Sequence, residues 1–189
     1  MHLMMLGAPG SGKGTQGKLL AEHLGIPQIS TGDLLRHAVA EGTPLGLQAK
    51  TYMDQGLLVP DAVVLGMIRE ILDSEAGSRG VLMDGFPRTV PQAEAVDKFL
   101  AERKARIDMV LLLEVEEEEL VRRLLGRAEK EGRSDDNLES ITRRLKVYEE
   151  QTAPLVAYYD RQGVVRRVPG TGDVDAIQVR IRKAAGGRS

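Results

Sequence analysis

The stretch Gly7-Ala8-Pro9-Gly10-Ser11-Gly12-Lys13-Gly14-Thr15 decides the fold. Residues 1–6 before it are a short apolar run, and Leu19, Leu20 and Leu24 after it recur at helical spacing until Gly25, where a C-cap belongs. The segment therefore predicts a buried strand, a glycine-rich turn and a helix. Gly7, four residues, and then Gly12-Lys13 is the spacing of a phosphate-cradling loop. Glycines let successive backbone N–H groups converge on an oxyanion, the helix N-terminus adds positive partial charge, and Lys13 supplies a full one. The strict pattern has Ser or Thr directly after the lysine, whereas Gly14 intervenes here. Either Thr15 takes the hydroxyl's part, or a magnesium ion is held mainly by phosphates and water.

Working outward, residues 27–30 form a second strand, with Ser30 or Thr31 as N-cap of a helix beginning near Asp33. Helices are predicted over 46–55, 61–74, 91–104, 116–130 and 136–161, and from about 173. Strands are predicted over 80–84, 108–115 and 163–168. Strands alternating with helices imply an α/β domain with a parallel sheet covered on both faces. No linker divides the chain. Two segments rich in glycine or charge, near 30–60 and 123–135, are expected to be mobile, with bends at glycines 32, 42, 46, 56, 126 and 132.

A chain of 189 residues can bury a sizeable core. Its 26 basic and 28 acidic side chains leave a net charge of −2, without the basic field that sequence-independent nucleic-acid binding needs. It has no cysteine, which excludes disulfides, thiol nucleophiles and cysteine-ligated zinc. The apolar start is too short for a signal peptide or a membrane span, so a cytoplasmic protein is expected.

Two further segments narrow the chemistry. Ser30-Thr31-Gly32-Asp33-Leu34-Leu35-Arg36 follows the second strand, and Asp84-Gly85-Phe86-Pro87-Arg88-Thr89 follows the third. In a parallel sheet, ligands bind beyond the carboxyl ends of strands, where both segments begin. Arg36 and Arg88 can fork onto phosphate oxygens. Asp84 is placed like the acidic partner of a magnesium ion's water shell. The Asn-Lys-x-Asp motif of guanine-nucleotide switches is absent, since the sole asparagine, Asn137, precedes Leu138.

In order and wording these motifs resemble adenylate kinases, within the nucleoside monophosphate kinase family. The resemblance spans nearly the whole chain: residues 7–15, 30–36, Gly-Leu-Leu-Val-Pro-Asp at 56–61, 84–89 with Gln92, Arg-Ser-Asp-Asp-Asn at 133–137, and Arg143-Arg144-Leu145. It implies a P-loop three-layer α/β fold with a five-stranded parallel sheet. The core would cover about 1–29, 60–122 and 136–189, with a small monophosphate-binding insert at about 30–59 and a short lid at about 123–135. It also implies the reversible reaction of ATP with AMP to give two ADP, dependent on magnesium and serving adenine nucleotide homeostasis.

Carried onto this chain, the resemblance assigns Gly10, Ser11, Gly12, Lys13, Gly14 and Thr15 to the ATP phosphates. Arg123 and Arg127 would contact ATP from the lid side, and the backbone near Gly172 would meet its adenine. AMP would be held by Thr31, Arg36, the backbone of Leu57, Leu58 and Val59, the Gly85-Phe86-Pro87-Arg88 turn, and Gln92. Arg133 and Arg144 would grip phosphates of both substrates. Lys13, Arg88, Arg123, Arg133 and Arg144 would be catalytic, with Asp84 reaching magnesium through water. Only five residues separate Arg127 from Arg133, where the usual bacterial form has a long insert, often zinc-binding; this chain resembles the short-lid form, without zinc.

The arginines make chemical sense. The attacking AMP oxygen is already anionic, so no general base is required; what is required is charge neutralisation and exclusion of water. Arg123 and Arg127 lie four apart on one helical face, whereas Arg122 and Arg143 are expected to be solvated. Two alternatives remain open: a UMP/CMP kinase, which also has a short lid, and a non-catalytic ATP-binding switch. A monomer is expected, with ATP, AMP and ADP as partners and neither nucleic acid nor membrane.

Overall fold

The structure is a computed structural model, and it describes residues 1–74, 77, 80–131 and 137–186. Five parallel strands pair in the order β2-β3-β1-β4-β5: β1 (His2–Leu6), β2 (Gln28–Ser30), β3 (Val81–Asp84), β4 (Ile107–Glu114) and β5 (Val165–Pro169). β1 is central and buried along its whole length, as a strand covered on both faces must be. Side chains alternate across it. Leu3 and Met5 face a layer containing Leu20, Ala21, Ile177 and Ile181, from α1 (Lys13–Leu24) and the C-terminal helix. Met4 and Leu6 face the opposite, larger layer.

That larger layer receives α2 (Thr31–Ala40), α4 (Asp61–Asp73) and α5 (Val90–Glu102). α4 buries Val64, Ile68 and Leu72, one residue per turn, which is the stripe an amphipathic helix presents to a core. α3 (Pro44–Asp54) packs on α2, and there Gly46 is indispensable: a Cβ on it would lie 2.0 Å from the Ala38 carbonyl oxygen. Gly46 is thus a close-packing point and not a bend. Gly32 and Gly126 also lie inside helices, while Gly42 and Gly56 are turn residues with positive φ and Gly132 lies outside the described residues.

The expected long helix over 136–161 is interrupted. α7 (Leu138–Val147) passes into a π-helical turn at Tyr148–Thr152, where the Ala153 N–H donates to the Tyr148 carbonyl at 2.7 Å. α8 (Pro154–Asp160) then starts with Pro154 in its first turn. Proline has no N–H and its ring clashes with the carbonyl four residues back, so an unbroken α-helix cannot run through position 154. α6 (Glu117–Glu131) and α9 (Val174–Ala184) complete the described helices. α2 begins at Thr31, with Ser30 as its N-cap accepting from the Asp33 N–H, and α3 begins at Pro44 behind the Thr43 cap.

Register positions the site. Met5 of β1 and Ser30 of β2 both align with Asp84 of β3. The turn after β1, the start of α2 and the turn after β3 therefore emerge at one level, along the crevice where ligands of parallel sheets bind.

Candidate active site

The loop after β1 is built around left-handed glycines, with φ of 85° at Gly10 and 95° at Gly12, and it encloses a fully buried Ser11. α1 begins at Lys13 behind Gly12, with no capping side chain on its first N–H groups. The Lys13 ammonium donates to the carbonyls of Gly7 (2.6 Å) and Ala8 (2.9 Å) and, more weakly, to Ser11 Oγ (3.4 Å). Burial lowers its pKa to about 8; Asp84 opposes that shift, while Arg88, Arg144 and Arg127 reinforce it. Asp84 is itself buried, and desolvation raises its pKa against the pull of Lys13 and Arg88. A Cβ on Gly14 would sit 3.4 Å from Asp84 Oδ2, so the backbone of α1 runs close above this carboxyl group.

The turn after β3 gathers a second set. The Gly85 carbonyl accepts from Thr31 Oγ1 (2.9 Å) and from Arg88 Nε (2.7 Å). Thr31 is therefore a fastener between the two segments and not a helix cap. The Phe86–Pro87 peptide is cis, and Phe86 is buried in the core. Gln92, on the first turn of α5, is buried; its Oε1 accepts from the Arg88 N–H (2.7 Å) and its Nε2 donates to Asp61 Oδ1 (2.5 Å). Arg36 pairs with Asp33 at 2.5 Å across one helical turn.

These residues line two clefts. One, an open space of about 600 Å³, is bordered by Thr31, Arg36, Leu57, Leu58, Val59 and Gln92. The other, of about 570 Å³, lies between the phosphate loop and the π-turn, with Gly7, Lys13, Pro87, Val147, Tyr148 and Thr152 on its walls. Gly56, Leu58, Gly85, Arg88 and Arg144 border both clefts, which therefore meet at two arginines.

Arg123 joins the phosphate loop to the loop after β5. Its guanidinium donates to the Ser11 carbonyl (3.4 Å), the Gly170 carbonyl (3.0 Å) and Glu119 Oε1 (2.6 Å). Gly172 lies in that same loop, which Arg180 also holds through the carbonyls of Pro169 (2.9 Å) and Thr171 (2.6 Å). Arg127 is near enough to Lys13 to lower its pKa. Arg122 is exposed and paired with Glu119, as expected of a solvated residue. Arg143 is half-exposed but not merely solvated: it donates to the Gln55 carbonyl at 3.2 Å, tying α7 to the C-cap of α3. Arg133, Asp135 and Asp136 lie outside the described residues.

Asp61, Glu119, Arg180 and the cleft-lining Tyr148 were not expected from sequence. Asp61 had a visible signal, since it opens α4 directly after Pro60 in the segment 56–61; it reads there as a helix start. Among the described residues, no group of three or more His, Asp or Glu side chains could hold a metal ion. Asp84, close enough to Asp33 for its pKa to be raised further, is a carboxyl group that could reach a magnesium ion, which is bound through substrate phosphates, water and one or two carboxylates. No helix among the described residues is long and apolar enough to cross a membrane.

A family model described as adenylate kinase matches residues 5–164. A protein of Thermus thermophilus named adenylate kinase is 54% identical over 184 residues, covering 97% of this chain and 96% of that protein. One of Leptospira biflexa with the same name is 51% identical over 183 residues, 97% of this chain and 98% of its own. One of Syntrophobacter fumaroxidans, also so named, is 47% identical, covering 98% of this chain and 100% of its own. That last alignment runs over 213 positions, more than the 189 residues here, so this relative carries residues without a counterpart in this chain.

Proposed function

The chain belongs to the adenylate kinase family, is a nucleoside monophosphate kinase acting between ATP and AMP, and we propose how its residues divide that work. The carrying observation is the meeting of two clefts at Arg88 and Arg144, beside Lys13. A phosphotransferase joining two anions needs two sites sharing a cationic junction, whereas an ATP-driven switch needs one.

The donor triphosphate lies on residues 10–15, with the uncapped N–H groups of α1 and the Lys13 ammonium facing its β and γ phosphates. Its adenine rests against the backbone near Gly172, held in place through Arg123. AMP occupies the cleft of Thr31, Arg36, Leu57, Leu58, Val59 and Gln92, with Arg36 and Arg88 on its phosphate. Arg144, at the junction, faces the group in flight, and Arg123 and Arg127 approach from the lid side. Arg133 joins them by family resemblance alone. An AMP oxygen attacks without a base, since it is anionic at neutral pH. The protein supplies position, positive charge and a dry site. Magnesium, when bound with ATP, neutralises phosphate charge; Asp84 would orient its water shell.

The reading extends to a cytoplasmic monomer with a core over about 1–29, 60–122 and 136–189, an insert over 30–59 and a short lid over 123–135, without zinc. The near-balance of 26 basic and 28 acidic side chains supports small nucleotides over nucleic acid as partners.

The test is an assay of the protein with Mg-ATP and each of AMP, UMP and CMP, following diphosphate formation. AMP is expected to be preferred by about 10²-fold or more, because mismatched polar groups are left buried with the other bases. Equal turnover of UMP or CMP would overturn the assignment of the base site, and ATP binding without transfer to any monophosphate would overturn the catalytic one.

A further inference from the structure

A carboxamide is ambidextrous. Turned by 180° about its last bond, it offers a donor where it offered an acceptor, so a lone glutamine cannot by itself tell a 6-aminopurine from a 6-oxopurine. The first presents an amino donor beside a ring acceptor, and the second presents a carbonyl acceptor beside a ring N–H. Gln92 is not a lone glutamine. Its Nε2 donates to Asp61 Oδ1 at 2.5 Å and its Oε1 accepts from the Arg88 N–H at 2.7 Å.

Both partners are one-sided: a carboxylate only accepts, and a peptide N–H only donates. Flipping the amide would set oxygen against the Asp61 carboxylate and N–H against N–H, losing both bonds and adding two repulsions. Nor can the partners easily give way. Asp61 opens α4, which is anchored in the core through Val64, Ile68 and Leu72, and Gln92 opens α5, anchored through Ala93, Val96 and Leu100. Each end of the amide keeps one further hydrogen-bonding position, since the oxygen accepts twice and the nitrogen donates twice. Gln92 borders the cleft that holds Thr31 and Arg36.

We propose that Asp61 is a positioning residue that locks the Gln92 carboxamide in one orientation, and thereby makes the site selective for a 6-aminopurine monophosphate over a 6-oxopurine one. The inference rests on the reading of Gln92 as a base contact.

The experiment compares kcat/KM for AMP and inosine monophosphate, at saturating Mg-ATP, in the wild type, Asp61→Asn and Gln92→Leu. Inosine monophosphate reverses the reading edge without adding an exocyclic group. The wild type is expected to favour AMP by about 10²-fold or more. An Asn at 61 can donate or accept, so Asp61→Asn should narrow that ratio by at least about tenfold. The change should fall on KM for the monophosphate, with kcat for AMP and KM for ATP little altered; a merely structural role would not act on one substrate's base edge. Asp61→Glu, which still only accepts, should restore the ratio. If Asp61→Asn does not fold, Asp61→Ser supplies a helix-start residue whose hydroxyl also works both ways, and should relax the ratio likewise. A folded Asp61→Asn with the wild-type ratio overturns the proposal. If Gln92→Leu has lost the ratio in that case, the base-contact reading stands and only the lock fails; if Gln92→Leu keeps it too, both fail.

Discussion

The Lys13 ammonium donates to the Gly7 carbonyl at 2.6 Å, so the cation of the phosphate loop is folded back onto the backbone of its own loop. A buried charge satisfied by neutral carbonyls and a hydroxyl is poised for a stronger anionic partner. In the proposed mechanism, replacing Lys13 by Met removes a charge that the transition state would use; it also removes a desolvated cation that folding has to accommodate. We expect kcat/KM to fall by about 10³-fold or more with the melting temperature unchanged or raised. Turnover and thermal unfolding of the same preparation check both halves.

The pH dependence follows from the same group. With its pKa at about 8 in the folded protein against 10.5 in a free side chain, Lys13 loses its proton first in the native state. Between those values the unfolded chain binds more protons, so this residue's contribution makes stability rise with pH. Activity moves the other way: kcat/KM for ATP should decline above about pH 8 as the ammonium is lost. The limb in kcat should lie at higher pH, because bound phosphates favour the charged form. Profiles of both parameters, with Lys13→Arg as the control that should abolish the basic limb, test this.

Gly85 has φ of +75°, and a Cβ on it would lie 3.0 Å from Thr31 Oγ1 and 3.2 Å from Arg88 Nη2. Gly85→Ala should therefore disturb the Thr31–Gly85–Arg88 fastening as well as straining the backbone by about 1 kcal/mol or more. The expected outcome is a rise in KM for AMP of about tenfold or more with KM for ATP nearly unchanged. Steady-state kinetics with each substrate varied in turn would show whether the effect is confined to one cleft.

Arg123 bridges Ser11 and Gly170 through one planar guanidinium. A lysine ammonium keeps the charge but cannot span two carbonyls and Glu119 in a fixed fork. Arg123→Lys should lower kcat/KM for ATP by about 10²-fold, and the loss should exceed that for AMP binding at fixed ATP. Equal losses for both substrates would contradict the linking role.

Gly46→Ala places a methyl group 2.0 Å from the Ala38 carbonyl oxygen and must force α2 and α3 apart. Because α2 carries Thr31 and Arg36, weaker AMP binding should accompany a loss of about 1–3 kcal/mol in stability. Calorimetric titration of AMP and denaturant unfolding measure the pair of effects.

What the sequence by itself determined is everything whose signal is local. Gly7, Gly12 and Lys13 lie within one turn and one helix start, so their spacing alone specifies the phosphate loop, and the alternation of strands and helices specifies the parallel sheet. Pro154 was an equally local signal, and its interruption of the helix over 136–161 was there to be read. The tertiary structure decided what depends on which elements cross. The register that sets Met5, Ser30 and Asp84 at one level, the Arg143 bond to Gln55, the Arg123 bridge and the Asp61–Gln92 pair all join residues tens of positions apart. Such partners are chosen by the packing of helices on the sheet, and a hydrogen bond of fixed length and direction forms only once that packing has brought its two ends together.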